Sequence, residues 1–384
     1  MLQVEIIEIL DQKGLNKFVD FQWQMYPEHS PWVPPLRKTI FDALDQEKNP
    51  FYKHAKLQAF MAYQGKRPVG RVAAIIDDRS NDLHEESVVF FGFFECIDDQ
   101  NVGNSLMNAV RTWGINRNAN ILRGPASPSS NYEFGLLIKG FELSPRVMMS
   151  YNHRYYMMLL EQAGLKKEKD LYAWDISTDI GFTERIGRVA ERQKKRHNIV
   201  VRSLNMNQFD REVRIMMEVY NSAWEKNWGF VPMDKSEFNH MAKDLKDVIV
   251  PELCMIAEVD REPIAFALAL PNINQALKKI RSGRLTPINL IKLFWYLKGP
   301  FRKNTITEGR ILTLGVKREY QNLAIGSLLY MEFLKRGPAL GLRLGEASWI
   351  LEDNTEMNKS IQGMNGSLTR EYRIYNQDIS APTE

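Results

Sequence analysis

The stretch of sequence that decides the fold runs from Leu312 to Leu329 and reads LTLGVKREYQNLAIGSLL. It begins as an apolar run that ends at Val316, continues through a polar turn, and then opens a helix with small residues. A buried strand that leads into a helix in this way points backbone N–H groups and the positive end of a helix dipole at one spot. Because Ala324, Gly326 and Ser327 are small, an anion can approach that backbone closely. The stretch therefore predicts a pyrophosphate site.

This pattern resembles the signature of the GNAT superfamily of acyl-CoA-dependent N-acyltransferases, which is Gln/Arg-x-x-Gly-x-Gly/Ala directly after the fourth strand. The chain has Gln321-x-x-Ala324-x-Gly326, with alanine at the first glycine position. The order of strand, turn, helix and further strand also follows the superfamily, over most of residues 198–378 and more faintly over 3–178. The resemblance implies acetyl-CoA or a longer acyl-CoA as co-substrate, and no metal.

The resemblance also implies which residues bind the cofactor. The CoA pyrophosphate would lie against the run Gln321, Asn322, Leu323, Ala324, Ile325, Gly326 and Ser327. The backbone of Leu314, Gly315 and Val316 would pair with the pantetheine arm, which Asn354 would also touch. Many members continue from this asparagine as Asn-x-x-Ala-x-x-x-Tyr, and that tyrosine protonates the leaving thiolate. Here Met357 and Ile361 stand at those two later positions, so the general acid stays unassigned.

Three carboxylates are candidates for the general base, which must accept a proton from an ammonium nucleophile near neutral pH. Glu308 precedes the fourth strand of the second half, whereas Glu352 and Asp353 follow the fifth. In the fold that the resemblance implies, we expect all three near the V-shaped opening where acyl-CoA binds. Glu352 is the first choice, and a solvated carboxylate at a strand end is the alternative interpretation for each.

The remainder of the chain predicts an α+β protein of two tandem GNAT-like domains, each a mixed, mostly antiparallel sheet flanked by helices. A length of 384 residues suits two domains at about 100–200 residues each. The hairpin around Gly65 matches one around Asp260 at an offset of 195, and Gln100 matches Gln321 at an offset of 221. We therefore expect domains at 1–178 and 182–384. Two unrelated α+β domains remain the alternative.

The first half carries a weaker version of the cofactor motif. Gln100-x-x-Gly103-x-Ser105 imitates the phosphate pattern, but Asp98 and Asp99 precede it, and carboxylates repel a pyrophosphate. We therefore expect little or no CoA binding there. The loop from Pro125 to Pro145 is rich in proline, serine and glycine and is long for such a fold. Since long loops often bind ligands, it is expected to contribute to the acceptor site, or else to be a plain surface cover.

An insertion at 272–307 separates the second hairpin from the cofactor strand. It contains eight Lys or Arg residues and no Asp or Glu, and Leu290, Leu293, Phe294 and Leu297 follow helical spacing within it. A short apolar helix flanked by cations is typical of peripheral contact with an anionic membrane, here through 288–303. The segment could also roof a lipid site. The alternative is a helix that packs on the other domain or forms a homodimer.

Composition excludes several other classes. The net charge of +4 is nearly balanced, so no nucleic acid partner is expected. Two cysteines, Cys96 and Cys254, cannot form a disulfide framework, and the six histidines are scattered without metal-ligand spacing. The sequence has no apolar run of about 18 residues, so we expect no membrane span and a cytoplasmic protein, with peripheral binding to the inner membrane face left open.

The function predicted from these observations is transfer of an acetyl or longer acyl group from acyl-CoA to an amine on a small molecule or a lipid. Three alternatives stay open at this point. One is long-chain N-acylation of a lipid-borne amine. Another is an aminoacyl-tRNA-dependent transferase of the peptidoglycan-bridge type, which would lack a CoA phosphate motif. The third is a CoA-binding protein without turnover, which Ala324 and Ile361 would permit.

Overall fold

The computed structural model describes residues 3–180, 184–225, 227–299 and 302–380. Contacts divide the chain into two compact units. The first unit takes in the described residues of Met1–Leu171, Arg281–Arg284 and Arg370–Glu384, and the second takes in those of Tyr172–Ile280 and Leu285–Thr369. Each unit is an α+β body with its own core.

The first unit contains most of the elements of the first half of the chain. Its helices are α1 (Gln12–Met25), α2 (Arg37–Leu44), α3 (Asp78–His84), α4 (Gln100–Ile115) and α5 (Tyr156–Gln162). Its strands are β1 (Val4–Glu8), β2 (Ala55–Gln64), β3 (Arg67–Asp77), β4 (Val88–Cys96), β5 (Ile121–Gly124), β6 (Ala126–Ser127), β7 (Glu133–Phe134) and β8 (Leu136–Lys139), with part of β9 (Lys166–Ser177).

The sheet of the first unit lies between two helical layers. Neighbouring strands run in the order β1-β2-β3-β4-β5, antiparallel except for the parallel pair β4–β5. Alternate residues of a strand face opposite sides of a sheet. Accordingly, Val72 and Ala74 of β3 join the core that contains α4, whereas Ala73 and Ile75 join the core that contains Phe18 of α1.

The second unit contains the elements of the second half. Its helices are α6 (Glu184–Arg196), α7 (Phe209–Trp224), α8 (Lys235–Leu245), α9 (Asn274–Leu277), α10 (Pro287–Leu297), α11 (Arg302–Thr305), α12 (Ile325–Arg336) and α13 (Thr355–Gly363). Its strands are β10 (Val200–Ser203), β11 (Cys254–Val259), β12 (Glu262–Pro271), β13 (Glu308–Val316) and β14 (Leu344–Leu351), with part of β15 (Ser367–Asp378).

The second unit repeats the strand order of the first. Its strands run β10-β11-β12-β13-β14, again antiparallel except for the last pair, β13–β14, which is parallel. Residues of α12 such as Ile325, Leu328 and Leu329 are fully buried, because helical spacing places them on one apolar face. The predicted α+β architecture of two tandem, mostly antiparallel sheets flanked by helices is confirmed.

The compact units and the predicted domains, 1–178 and 182–384, divide the chain at different residues. Strand β9 changes units between Leu171 and Tyr172, and β15 changes units between Thr369 and Arg370. The last part of β15 pairs antiparallel with β5 of the first unit, in the register Tyr375↔Gly124. Alternating strand patterns identify a strand but not its partner, so the sequence boundary could not anticipate this pairing.

Within the described ranges, no helix combines the length and apolar character needed to cross a membrane.

Candidate active site

The candidate site is built around β13, whose outer half carries the motif quoted above. One edge of β13 pairs antiparallel with β12 from Pro271↔Gly309 to Ala265↔Val316. The register of this ladder shifts at one point, because Leu268 pairs with Thr313 whereas Ala269 pairs with Ile311. One residue of β12 is thus matched by two residues of β13. Leu312 is therefore an extra residue, a β-bulge that bends the strand. Bulges of this kind are frequent beside active sites.

The other edge of β13 separates from β14 halfway along. The parallel pairing covers Glu308↔Leu344 to Ile311↔Ala347, although β13 continues to Val316 and β14 to Leu351. Beyond Ile311, none of the strands in the described residues pairs with this edge. The two strands thus form a V whose open side presents the backbone of residues 312–316, which includes the predicted Leu314, Gly315 and Val316. An unpaired strand edge is a template for another extended chain.

The helix after the motif begins with free backbone donors. A 3-10 turn spans Arg318–Leu323, so it contains the predicted Gln321, Asn322 and Leu323. Ala324 then adopts left-handed backbone angles (φ 53°), and α12 begins at Ile325 without a side-chain cap. A β-carbon added to Gly326 would meet only Leu314, at 3.7 Å, so space remains above the first turn. An uncapped helix N-terminus with open space is suited to an anion.

Gln321 connects this turn to the strand. Its side-chain amide Nε2 donates to the carbonyl of Val316 at 3.3 Å. The contact holds the turn over the end of β13, next to the open side of the V. The turn at 318–323 and the end of β13, which the sequence predicts to be parts of one cofactor site, therefore lie next to each other.

The two faces of β13 have different surroundings. Leu314 lies toward Gly326 of α12, whereas the next residue, Gly315, lies toward Trp224 at the end of α7. A β-carbon on Gly315 would come within 2.3 Å of the Trp224 ring, so only glycine permits this packing. Trp224 belongs to an aromatic cluster whose other members are Tyr220, Phe230, Phe238 and Phe266. The face of the V away from α12 is consequently apolar.

The strand β14 ends at the predicted carboxylates. Glu352 and Asp353 form the turn after Leu351; Glu352 is half-buried and Asp353 is exposed. Asn354 caps α13, because its Oδ1 accepts the backbone N–H of Met357 at 3.2 Å. Asn358 donates to the carbonyl of Leu351 at 3.0 Å and so stabilises the turn. Glu352 is held at the open end of the V.

Glu308 lies at the other end of β13. It is the first residue of the strand, it pairs with Leu344, and its carboxylate accepts from Asn272 Nδ2 at 3.0 Å. Eight residues separate it from Val316, which corresponds to roughly 26 Å along a strand. The expectation that Glu308 lies near the opening is therefore not met, because the paired end of the V is the end where β13 begins.

Sequence reasoning missed a buried polar cluster where the strands separate. Ser348 donates to Glu346 Oε1 at 2.7 Å and accepts from Arg310 Nε at 2.9 Å, and all three residues are buried. The guanidinium of Arg310 also lies 5.0 Å from the centre of the Trp349 ring. The available signal was a charged residue inside each of two apolar strands. Such clusters fix geometry, since removing one partner leaves a buried charge uncompensated.

Thr313 is a further residue that sequence reasoning passed over. Its hydroxyl oxygen is buried and has no hydrogen-bond partner among the described residues. Buried polar atoms are almost always paired. An orphaned hydroxyl on the bulged strand is therefore a place where a bound ligand would supply the missing partner.

An apolar pocket lies beside the paired part of the V. It is bounded by Ile311 of β13, Leu344 of β14, Phe333 and Tyr330 of α12, and Met364, with glycines at 309 and 345. Burial raises the pKa of the Tyr330 hydroxyl well above its usual range, so this group is neutral. The hydroxyl lies 3.9 Å from Met357 Sδ, one helical turn before Ile361 on α13.

The corresponding region of the first unit is closed. Strands β4 and β5 pair only over Val88↔Ile121 to Phe90↔Arg123 and then separate, as in the second unit. Here the next residues of the chain fill the gap. A β-carbon on Gly92 would lie 1.8 Å from the carbonyl oxygen of Ala126, and the amide of Phe93 donates to Ser127 Oγ at 2.8 Å. The loop predicted to reach the acceptor therefore covers the strand edge of its own unit.

The helix N-terminus of the first unit is also occupied. The carboxylate of Asp99 caps α4 by accepting from the amide of Asn101 at 2.9 Å, and it accepts from Gln64 at 3.1 Å. The offset of 221 aligns Gln100 with Gln321. Helix α4 begins at Gln100 itself, whereas α12 begins at Ile325, four residues after Gln321 (325 − 321 = 4). That additional turn and its capping carboxylate occupy the place of an anion.

A buried acid lies at the end of β4. Glu95 accepts from Tyr156 at 2.7 Å and from Tyr26 at 3.0 Å, with Arg71 at 3.8 Å. Burial raises the pKa of the Glu95 carboxyl and lowers the pKa of the Arg71 guanidinium. Tyr26 stacks on His153 with ring centres 4.7 Å apart. The first unit thus fills the end of its strand with a network of its own side chains.

Among the described residues, no group of three His, Cys, Asp or Glu side chains is arranged to hold a metal ion.

The architecture of this chain is similar to that of solved structures. The chain aligns over 100% of its length, and 100% of the other, with a tandem GNAT protein from the clavulanic acid biosynthesis pathway, at a TM-score of 0.56 and 11% identity. This likeness concerns the fold. Together with the V between β13 and β14, it shows that the chain has the fold of a tandem GNAT protein.

Two curated relatives give a narrower assignment. The protein YghO of Escherichia coli (strain K12) is 35% identical over 376 residues, which cover 96% of this chain and 94% of that protein. The bacterial ceramide synthase of Caulobacter vibrioides is 32% identical over 384 residues, which cover 98% of each. The chain belongs to the family of these two proteins. No protein-family model matches it.

Proposed function

We propose that the second unit transfers a long acyl chain from acyl-CoA to the amine of a lipid. The observation that carries this proposal is the uncapped N-terminus of α12 beside the unpaired edge of β13. The amides of residues 325–327 would bind the pyrophosphate, because they carry the positive end of the helix dipole. The backbone of Leu314, Gly315 and Val316 would pair with the amide-bearing pantetheine arm.

In this proposal, the amine nitrogen attacks the thioester carbonyl carbon. A C–N bond forms, the C–S bond breaks, and the thiolate leaves with a proton. Glu352, at the open end of the V, would accept the proton from the amine. The chain's main contribution is to hold the two reactants together and to exclude water. The proton donor for the thiolate stays unassigned, since Ile361 occupies the position of the superfamily's tyrosine.

A long acyl chain is favoured over acetyl by the apolar pocket between α12 and the paired part of the V. An acetyl group needs no such space, whereas a hydrocarbon chain gains about 0.8 kcal/mol for each methylene group removed from water. Glycines at 309 and 345 keep side chains out of this pocket.

A lipid amine is favoured by the aromatic cluster on the α7 face of Gly315 and by the relative that is named a bacterial ceramide synthase. Trp224 and Phe266 would contact an apolar acceptor.

The test combines binding with turnover. Acetyl-CoA, hexadecanoyl-CoA and free CoA are compared by thermal shift, since a ligand of the native state raises the melting temperature. Acyl transfer is then measured in detergent with a long-chain amino alcohol and with a water-soluble primary amine. We expect the largest shift and the fastest transfer with hexadecanoyl-CoA and the long-chain amino alcohol.

Three results would contradict parts of the proposal. Absence of a shift with every CoA compound would refute CoA binding and favour an aminoacyl-tRNA donor. Faster transfer with acetyl-CoA would refute the long-chain donor. Binding of CoA without transfer to either amine would favour a non-catalytic CoA-binding protein.

A further inference from the structure

Helix α10 exposes an unusually apolar surface. Five large side chains on it are 45–68% exposed: Ile288 (68%), Leu290 (50%), Ile291 (60%), Phe294 (61%) and Trp295 (45%). Their helical positions form one continuous surface on which Lys292 is the sole charged residue. We refer to these five residues as the apolar face of α10. Contiguous apolar patches of this kind mark an interaction site.

The helix is well fixed on its other side. Thr286 caps its N-terminus by accepting from the amide of Asn289 at 3.3 Å, and Pro287 occupies the first helical position. Leu293, opposite the apolar face, is only 7% exposed. The side chain of Lys279 covers the ring of Tyr296 at 4.4 Å. The helix therefore buries one apolar side and leaves a second one uncovered.

The segment that leads into α10 is anchored as well. Residues Arg281–Arg284 belong to the first unit, where Trp23 donates to the carbonyl of Arg281 at 2.8 Å and the amide of Arg37 donates to Gly283 at 2.9 Å. Gly283 has a positive φ of 62°, and a β-carbon there would lie 2.5 Å from Trp23. These contacts fix residues 281–284 within the first unit.

Cations flank α10 in the sequence of the insertion. Exposed basic residues in the insertion are Lys278, Lys279, Arg284, Lys292, Lys298 and Lys303. The insertion carries eight Lys or Arg and no acid, so the remainder of the chain has 51 − 8 = 43 basic and 47 acidic residues, a net charge of −4. The insertion that contains this helix therefore carries the whole of the chain's excess positive charge.

We propose that α10 binds to the surface of an anionic lipid bilayer, with its apolar face among the acyl chains and the cations at the headgroups. Each basic residue near such a surface contributes about 1 kcal/mol, and the apolar side chains add the hydrophobic effect. Lys292 can extend its stem and keep its ammonium group at the headgroup level. Binding would bring the second unit to the membrane that contains lipid amines, but it does not depend on the proposed reaction.

A second copy of the chain fits this surface less well. A twofold interface through α10 would place the same cations opposite each other without acids to pair them. A nucleic acid would attract the cations but would leave five large apolar side chains without partners. An anionic membrane satisfies both the charge and the apolar surface.

The experiment is vesicle sedimentation with the full chain. Phosphatidylcholine vesicles with and without phosphatidylglycerol are compared at low and high salt. We expect binding that requires phosphatidylglycerol and decreases with salt. The variant Ile291→Ser/Phe294→Ser/Trp295→Ser should weaken binding at least tenfold, and Lys292→Gln/Lys298→Gln should weaken it at low salt.

Matched controls change equally exposed residues of the first unit. Leu10→Ser/Leu83→Ser/Met158→Ser controls for lost apolar surface, and Lys13→Gln/Lys17→Gln controls for lost charge; both should bind like the unmodified chain. Absence of binding to anionic vesicles at low salt would overturn the inference. So would a dimer, seen by sedimentation velocity without lipid, that dissociates in the α10 triple variant. Transfer measured in detergent tests the proposed reaction separately.

Discussion

The two units can be compared at the helix that follows β4 in the first unit and β13 in the second, where their sequences share a motif but their structures differ. In the first unit α4 begins under the carboxylate of Asp99, which accepts the amide that an anion would otherwise bind. In the second unit α12 begins four residues later in the motif, after Ala324, with no side-chain cap. One fold therefore has a free helix terminus in one copy and a terminus capped by its own side chain in the other.

The strand pairs show the same contrast. Both β4–β5 and β13–β14 run parallel for a short distance and then separate. In the first unit Ala126 and Ser127 cover the exposed strand edge, whereas the corresponding edge of β13 is unpaired in the described residues. In the first unit a loop and one carboxylate thus cover the strand edge and the helix end that stay open in the second unit, while the sheet is preserved.

The largest expected effect comes from introducing the carboxylate of the first unit into the second. Gly326→Asp places a negative charge in the first turn of α12, where space exists and where the helix dipole tolerates an acid. Repulsion of the pyrophosphate by on the order of 3 kcal/mol would weaken CoA binding about a hundredfold. Titration calorimetry with CoA measures this.

The matched control is Ser105→Asp, at the corresponding position of α4 (326 − 221 = 105). It should leave CoA affinity unchanged. If Ser105→Asp weakened binding and Gly326→Asp did not, the roles assigned to the two helices would have to be exchanged.

The next effect tests the chemistry of the open V. Glu352→Gln removes the proposed base and should lower the rate of acyl transfer at least roughly tenfold, with CoA affinity retained. Asp353→Asn should have a smaller effect, because that side chain is exposed. Glu308→Gln should have none, because Glu308 lies at the far end of β13. Single-turnover rates with titrated acyl-CoA separate these cases, and an unchanged rate for Glu352→Gln would remove it from the mechanism.

A smaller effect is expected for opening the first unit. Ser127→Ala deletes the acceptor for the amide of Phe93 and should lower the free energy of unfolding by about 1 kcal/mol. Ser105→Ala, which removes an exposed hydroxyl, serves as the control. Urea denaturation measures both. Equal stability of the two variants would mean that the loop does not hold the strand edge closed.

The smallest expected effect is a change in how the free energy of unfolding depends on pH. Burial holds the pKa of Glu95 above its ordinary value of 4.5, so the folded chain keeps this proton at a pH where the unfolded chain releases it. The resulting stability is present below pH 4.5 and is lost as the pH rises through the folded pKa. The difference in unfolding free energy between the unmodified chain and Glu95→Gln should therefore fall between pH 4.5 and neutrality. A difference that rises would mean that Arg71 lowers this pKa.

Much of the architecture was accessible from the sequence because its signals are local. The motif predicted a helix after its polar turn, where α12 lies, and the repeated hairpins indicated a duplicated fold. Neighbour relations were not accessible, because alternation along a strand does not specify its partner. For that reason the pairing of β15 with β5, and the distance of Glu308 from the site, became clear only in three dimensions.

The features of the candidate site also divide into those that the sequence predicts and those that depend on strand pairing. The backbone features of residues 314–327 follow from chain order and could be predicted. The cluster of Arg310, Glu346 and Ser348 could not, since it depends on the register between two strands that are separated by a helix. The orphaned hydroxyl of Thr313 likewise depends on a bulge that no sequence pattern here announces.

The assignment of residues 370–380 to the first unit has a consequence for the timing of synthesis. The first unit receives its last strand only after residues 172–369 have been made, which is 369 − 171 = 198 residues later. At about 5–20 residues per second this delay is roughly 10–40 s. During that interval the edge of β5 that later pairs with β15 is unpaired, so other nascent chains can pair with it. Loss of the last strand is therefore expected to damage first the part of the protein that left the ribosome earliest.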